Sequence, residues 1–175
     1  MDSRRVPTLT TTTPAFPQSG RQQVALIGDL ILASGETLLD CRIGYRTFGT
    51  LTADRSNIVV MLTWFTGTTG DLSELVGPGR LVDSSSYYVI AIDALGNGVS
   101  SSPSNSTRQP RMHFPKVSVA DMVRSQYELL TRVLLIDHVK AVVGASMGGM
   151  QAFEWQVAYP SFMDKTVANR PVRRQ

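Results

Sequence analysis

From Val24 to Leu51, VALIGDLILASGETLLDCRIGYRTFGTL, apolar and polar positions alternate with period two, interrupted at Ser34-Gly35-Glu36. A period of two sends successive side chains to opposite faces of a strand, so two such runs around a short Gly-containing break predict a β-hairpin. Three later runs differ: NIVVML (57–62), YYVIAID (87–93) and HVKAVVGA (138–145) are almost unbroken in apolar residues. Strands of that composition are covered on both faces, as in a parallel sheet between packed helices. Between the last two, Ser118 as N-cap and Asp121 at N3 precede Met122, Gln126, Leu129, Leu130, Val133 and Leu134 at helical spacing. After Ser146 a second helix is predicted to about Tyr159, with Met150, Phe153 and Val157 on one face and Pro160 as its stop. A further strand should begin near Asp164. The expected fold class is α/β: a mainly parallel sheet with an N-terminal hairpin and helices on both faces.

The flanks read differently. Residues 1–23 hold TLTTTTP and three prolines without apolar periodicity, and are expected to be a disordered leader to a domain spanning 24–175. Net charge is +3, but residues 1–21 carry +2 and residues 165–175 carry +4, so the body between them is at −3. That body has no basic stripe interleaved with aromatics, which argues against a nucleic-acid partner. No apolar run approaches the roughly 20 residues a membrane span needs, and the first residues lack a signal-like apolar core; a soluble, cytoplasmic protein is expected. The single cysteine, Cys41, excludes an internal disulfide and a multi-cysteine zinc site, and its alternating context reads as a small buried hydrophobe. The long stretch GNGVSSSPSNSTRQPRMHFP (96–115) is either functional or a surface excursion.

One segment carries chemistry. In VVGASMGGMQ (142–151), Ser146 lies between Gly144 and Gly148, with Gly149 following, at the point where a buried strand should meet a helix. A nucleophilic serine projects from a sharp strand-to-helix turn, and the residues two before and two after it must be small to avoid one another and the neighbouring strand. The N–H of Met147, opening the helix, could then donate to an oxyanion. A plain small-residue turn would use the same glycines, but the flanking strand and helix patterns make the motif specific. A second donor should come from a loop after an earlier strand, and NIVVML is followed by TWFTGTTG (63–70), with glycines at 67 and 70.

The segments GETLLDCRIGYRTFGTL, TWFTGTTGD, LVGPGRLVDSSSYYVIAIDALGNG, FPKVSVADMVRSQ and VVGASMGGMQAFEWQVAYP, in that order, resemble the homoserine O-acetyltransferase branch of the α/β-hydrolase superfamily. The resemblance covers about Leu26 to Lys165, with SMGGMQAFEW its most specific part. It implies that Ser146 takes the acyl group and that the backbone N–H groups of Phe65 and Met147 form the oxyanion hole. It further implies acetyl-CoA as donor, a small hydroxyl acceptor, a ping-pong route through acyl-serine, no metal or redox cofactor, and a homodimer. The sequence departs from the branch in two places: Thr63 stands where its acetyltransferases usually have a histidine, and GNGVSSSPSNS replaces a glycine-rich loop. The second form is like relatives described only as α/β-fold hydrolases, so a carboxylic-ester hydrolase is the alternative, and a non-catalytic fragment a third reading.

A base and an acid are harder to find. The fold places them after the serine in the order Asp or Glu, then His. After Ser146 there are the acids Glu154 and Asp164 and no histidine; His113 lies in the long loop and His138 heads the strand before Ser146. His138 should sit at the far end of that strand, and Asp93 is expected to position a loop. The chain therefore reads as the N-terminal portion of a longer enzyme, with an exposed sheet edge.

Overall fold

The computed structural model describes residues 20–169. Six strands form one sheet: β1 (Gln23–Ile31), β2 (Thr37–Phe48), β3 (Ile58–Leu62), β4 (Tyr88–Ile92), β5 (Val139–Ala145) and β6 (Met163–Asn169). Their spatial order is β1-β2-β4-β3-β5-β6. β1 and β2 form the expected hairpin, closed by the Gly35 N–H to Leu32 carbonyl bond at 2.9 Å, and β2 lies antiparallel to β4. All pairings from β4 through β3 and β5 to β6 are parallel. β3 and β4 are buried at every position, as strands covered on both faces must be.

Helices α2 (Val119–Glu128) and α3 (Met147–Ala158) cover one face, together with a π-helical turn, Leu129–Val133, that extends α2. The core on this side packs Leu38, Ile43, Ile58, Val60, Ile90 and Ile92 against Val123, Leu129, Leu130 and Trp155. The predicted cap of α2 is present in full. Ser118 Oγ accepts from the Asp121 N–H, and Asp121 Oδ2 accepts from the Ser118 N–H at 2.8 Å. The other face is covered more thinly: Val59, Met61, Val89 and Ala91 pack against Leu72 of the four-residue α1 (Thr69–Leu72) and against Val76 and Val82 of the loop that follows.

Met150, Phe153 and Val157 share one face of α3, as expected, and that face is the outward one, 46%, 51% and 77% exposed. The buried face is made of Gly148, Gly149, Gln151, Ala152 and Trp155. Small residues let the helix axis approach the sheet, and the bulky ones are pushed outward. One expectation is corrected: the ordered domain begins before residue 24. Gln23 opens β1, and Gln22 Nε2 donates to Asp93 Oδ2 at 2.9 Å. The rest of the expected leader, residues 1–19, lies outside the described residues.

Candidate active site

β5 runs into α3 through a single residue, Ser146, at φ 56° and ψ −120°. A non-glycine residue there is strained by about 1–3 kcal/mol, and its neighbours must over-determine it. The three glycines of the motif supply that enclosure. A Cβ on Gly144 would lie 2.0 Å from the Gly148 carbonyl oxygen, one on Gly148 2.6 Å from the Leu62 carbonyl oxygen, and one on Gly149 2.9 Å from the Asn169 carbonyl oxygen. The turn is therefore packed between β3 and β6 by backbone alone. Two hydrogen bonds complete it: the Ser146 N–H donates to the Asn169 carbonyl at 3.0 Å, and the Met150 N–H donates to the Ser146 carbonyl at 3.1 Å. Ser146 is exposed, and its hydroxyl has no hydrogen-bond partner among the described residues.

The loop after β3 approaches from the neighbouring strand. Thr66 holds φ 66°, a strained value for a β-branched residue, inside a turn closed by the Gly67 N–H to Trp64 carbonyl bond at 3.1 Å. Phe65 is 73% exposed. Phe65 and Met147, the two residues named as oxyanion donors, line one cavity of ≈ 360 Å³ with Thr66, Leu95, Asn97 and Met122. Neither backbone N–H has a partner among the described residues. Met147 is the chain neighbour of Ser146, and Phe65 and Met147 border the same cavity.

Asp93, at the carboxyl end of β4, positions this loop. Its buried carboxylate accepts from the Thr69 N–H at 2.8 Å, the Thr69 hydroxyl at 2.9 Å, Gln22 Nε2 at 2.9 Å and Asn97 Nδ2 at 2.9 Å. Asn97 Nδ2 also reaches the Gly67 carbonyl at 3.1 Å, so both loops bordering the cavity are tied to one carboxylate. The long serine-rich loop is likewise fastened. Ser100 Oγ accepts from the Gly44 N–H at 2.9 Å and donates to the Asp93 carbonyl at 2.7 Å, while Ser101 Oγ accepts from the Arg42 N–H at 2.9 Å. Its serines serve β2 in place of a strand neighbour, and Ser100, Ser101 and Ser102 are all buried. Thr63 is fully buried, with its hydroxyl accepting from the Ala94 N–H at 3.0 Å, so its side chain faces β4 and not the cavity.

Among the described residues no base is brought to Ser146. His138 stands at the opposite end of β5, on the order of 20 Å away at about 3.3 Å per strand residue, where its Nε2 pairs with Asp164 Oδ1 at 2.9 Å. Lys140 Nζ adds a contact to the same carboxylate at 3.6 Å, and these partners hold the Asp164 pKa below the usual carboxylate value, with the His138 hydrogen bond as the main cause. His113 is exposed in a short 3-10 turn, Arg111–His113, and its ring makes no hydrogen bond among the described residues. Glu154 lies two turns into α3. Sequence reasoning did not single out Gln151, fully buried on α3, whose Nε2 donates to the Thr63 carbonyl at 3.1 Å. The signal available was an uncharged amide at a position whose helical neighbours Ala152 and Trp155 face the core.

Residues 70–172 match the family described as alpha/beta hydrolase fold. The chain belongs to that family. It is 38% identical over 146 residues to an ethyl acetate hydrolase of Pseudomonas veronii, covering 81% of this chain and 41% of that protein. It is 37% identical over 164 residues to a homoserine O-acetyltransferase of Zymomonas mobilis, covering 84% of this chain and 44% of the relative. Among solved structures, an acetylester hydrolase from Corynebacterium glutamicum superposes with a TM-score of 0.79 at 37% identity, over 84% of this chain and 43% of that one. This α/β-hydrolase chain thus spans about two fifths of the length of the relatives it matches, which include both esterases and homoserine O-acetyltransferases.

Proposed function

We propose that this chain carries the nucleophile and the oxyanion hole of an enzyme that passes an acetyl-sized acyl group through Ser146. The observation that carries the reading is a strained, exposed serine followed directly by Met147, which shares a cavity with Phe65, the backbone N–H of each having no partner among the described residues. Ser146 Oγ attacks the acyl carbonyl and the carbonyl oxygen gains charge. The two N–H groups donate to that oxygen, a contribution of about 3–4 kcal/mol per donor where single donors have been removed from such sites. Collapse of the tetrahedral intermediate expels an alcohol or a thiol and leaves acyl-Ser146. No metal or redox cofactor enters these steps.

The acceptor of the second half-reaction divides two readings. Transfer from acetyl-CoA to an amino-acid hydroxyl is supported by the homoserine O-acetyltransferase relatives. Transfer to water is supported by the esterase relatives and by Thr63, whose buried hydroxyl is already engaged by Ala94 and so is turned away from an acceptor. Acetyl is the acyl group named on both sides. Where a base completes the site, free thiol released from acetyl-CoA with and without homoserine separates the two readings: acceptor-dependent release marks the transferase, acceptor-independent release the hydrolase.

The direct test is covalent. A fluorophosphonate should label residues 1–175 at Ser146, and Ser146→Ala should abolish the label. Since neither His113 nor His138 is brought to the serine, labelling is expected to be slow and turnover of an acetate ester close to the uncatalysed rate. Fast turnover that survives Ser146→Ala would overturn the reading.

A further inference from the structure

A chain of three buried side chains runs from Trp155 of α3 to the backbone at the start of the loop that carries Phe65. Trp155 Nε1 donates to Gln126 Oε1 at 2.8 Å, Gln126 Nε2 donates to Gln151 Oε1 at 2.6 Å, and Gln151 Nε2 donates to the Thr63 carbonyl at 3.1 Å. The same Gln151 Nε2 lies 3.4 Å from the Met147 carbonyl. The Thr63 hydroxyl then accepts from the Ala94 N–H at 3.0 Å. Trp155, Gln126, Gln151 and Thr63 are all between 0 and 1% exposed.

Packing alone does not call for this arrangement. Gln126 and Gln151 occupy core-facing positions of α2 and α3, among Val123, Leu129, Leu130 and Ala152, where methionine or leucine would fill the same volume without polar atoms to satisfy. Buried amides are costly unless every polar atom finds a partner, and a satisfied network earns its place by fixing geometry. What this network fixes is particular. Thr63 lies two residues before Phe65 and Met147 follows Ser146, so a single amide group, Gln151 Nε2, touches the backbone of both segments that present the oxyanion donors. The segment beyond Thr63 also contains the strained Thr66, which relaxes unless held at its ends.

We propose that Gln151, oriented by Gln126 and Trp155, is a positioning residue that sets the separation of the Phe65 and Met147 N–H groups by bonding the Thr63 and Met147 carbonyls. The proposal rests on the reading of those two N–H groups as the oxyanion hole. Gln151 itself touches no substrate. Trp155 is held in turn by Tyr127, Tyr159 and Phe162, with ring centroids 6.1, 5.2 and 5.3 Å away, so the amide relay starts from a rigid aromatic cluster.

Two variants and two readouts test it. Gln151→Met keeps the volume and removes the hydrogen bonds. Gln151→Glu can replace the amide only when protonated, its hydroxyl then donating to the Thr63 carbonyl while its carbonyl accepts from Gln126. The groups that meet residue 151, the Gln126 amide and the Thr63 and Met147 carbonyls, do not ionise, so any new pH dependence belongs to the glutamate. The first readout is amide hydrogen exchange of Gly67 and Ala94, whose N–H groups report the turn and its anchor, each taken relative to Val60 in β3 as the measure of global opening. The second is phosphonylation of Ser146, separated into limiting rate and half-saturating probe concentration.

For Gln151→Met the exchange ratios are expected to rise about tenfold, the size of one lost hydrogen bond. The limiting rate of phosphonylation should fall about tenfold with the half-saturating concentration unchanged. Gln151→Glu should match wild type near pH 5 and the methionine variant near pH 9, around the range about which buried carboxyls titrate. Unchanged exchange ratios in Gln151→Met, raised ratios with an undiminished phosphonylation rate, or a pH-independent Gln151→Glu would each overturn the positioning role. A wild-type chain that is never phosphonylated at Ser146 would instead defeat the oxyanion reading, and with it this role.

Discussion

At the scale of single residues, closeness of approach decides most of what is special here. The three glycines around Ser146 differ in how near the obstructing carbonyl lies, 2.0 Å for Gly144, 2.6 Å for Gly148 and 2.9 Å for Gly149, and in each case the obstruction is backbone, which cannot swing aside. Alanine substitutions should therefore destabilise in that order, from about 3 kcal/mol or more at Gly144 to about 1 kcal/mol at Gly149, measured as shifts in urea midpoint at constant slope. Asp93 is special for the opposite reason: four donors converge on it, and Asp93→Asn would turn an NH2 group toward them. A loss of about 3 kcal/mol is expected for unsatisfied buried donors around a former charge, together with slower phosphonylation of Ser146, because Thr69 and Asn97 would lose their anchor. Cys41 is inert by burial, which pushes its thiol from 9.0 up to about 12. Because the folded thiol holds its proton more tightly than the unfolded one, its share of stability is complete below pH 9 and is lost as pH rises from 9 toward about 12. Cys41→Ser should flatten that part of the stability profile, and native Cys41 should react with iodoacetamide only as fast as the domain opens.

At the scale of elements, caps and contact faces are what the sequence conveys well and badly, respectively. The N-terminus of α2 was legible because a capping box is local: Ser118 and Asp121 are three residues apart and satisfy each other. Its reach was not, since Asp121 Oδ1 also accepts from the Ala33 N–H of the hairpin turn at 2.7 Å, across 88 positions. The two halves of the box should consequently be unequal. Ser118→Ala should cost about 1 kcal/mol, as for an ordinary cap, and Asp121→Ala about 2 kcal/mol, as the hairpin N–H loses its acceptor as well; thermal unfolding of the two variants compares them. The strands read well because burial on both faces leaves an unbroken apolar run, as in β3 and β4. α3 read badly in one respect: Gly148, Gly149 and Ala152 carry almost no hydrophobic signal although they form the contact face, while Met150, Phe153 and Val157 do carry it and point away. Of the candidate site, the local geometry of the turn at Ser146 was legible, since strand, glycines and helix are contiguous. The Gln126–Gln151–Thr63 relay was not, because its partners are 25 and 88 residues apart and a lone glutamine in an apolar stripe has no pattern of its own.

At the scale of the molecule, the sheet is unevenly protected. One face lies under α2 and α3, whereas on the other Leu81 and Val167 are 70% and 52% exposed and β6 is an open parallel edge among the described residues. Exposed edges and apolar patches promote association, so sedimentation should show concentration-dependent oligomers that Val167→Lys reduces. No helix among the described residues is long and apolar enough to cross a membrane. The strand order has a further consequence in time. β3 sits at the centre of the parallel part, yet its second neighbour, β5, follows it only after β4, the serine-rich loop and α2 have been made. On a ribosome working at about 5–20 residues per second, β3 waits roughly 4–15 s for that neighbour, with one apolar edge open. The stretch ending in Gly144 closes that edge, but the turn at Ser146 also rests on Asn169 of β6, so it takes its final shape only after both β5 and β6 have joined the sheet.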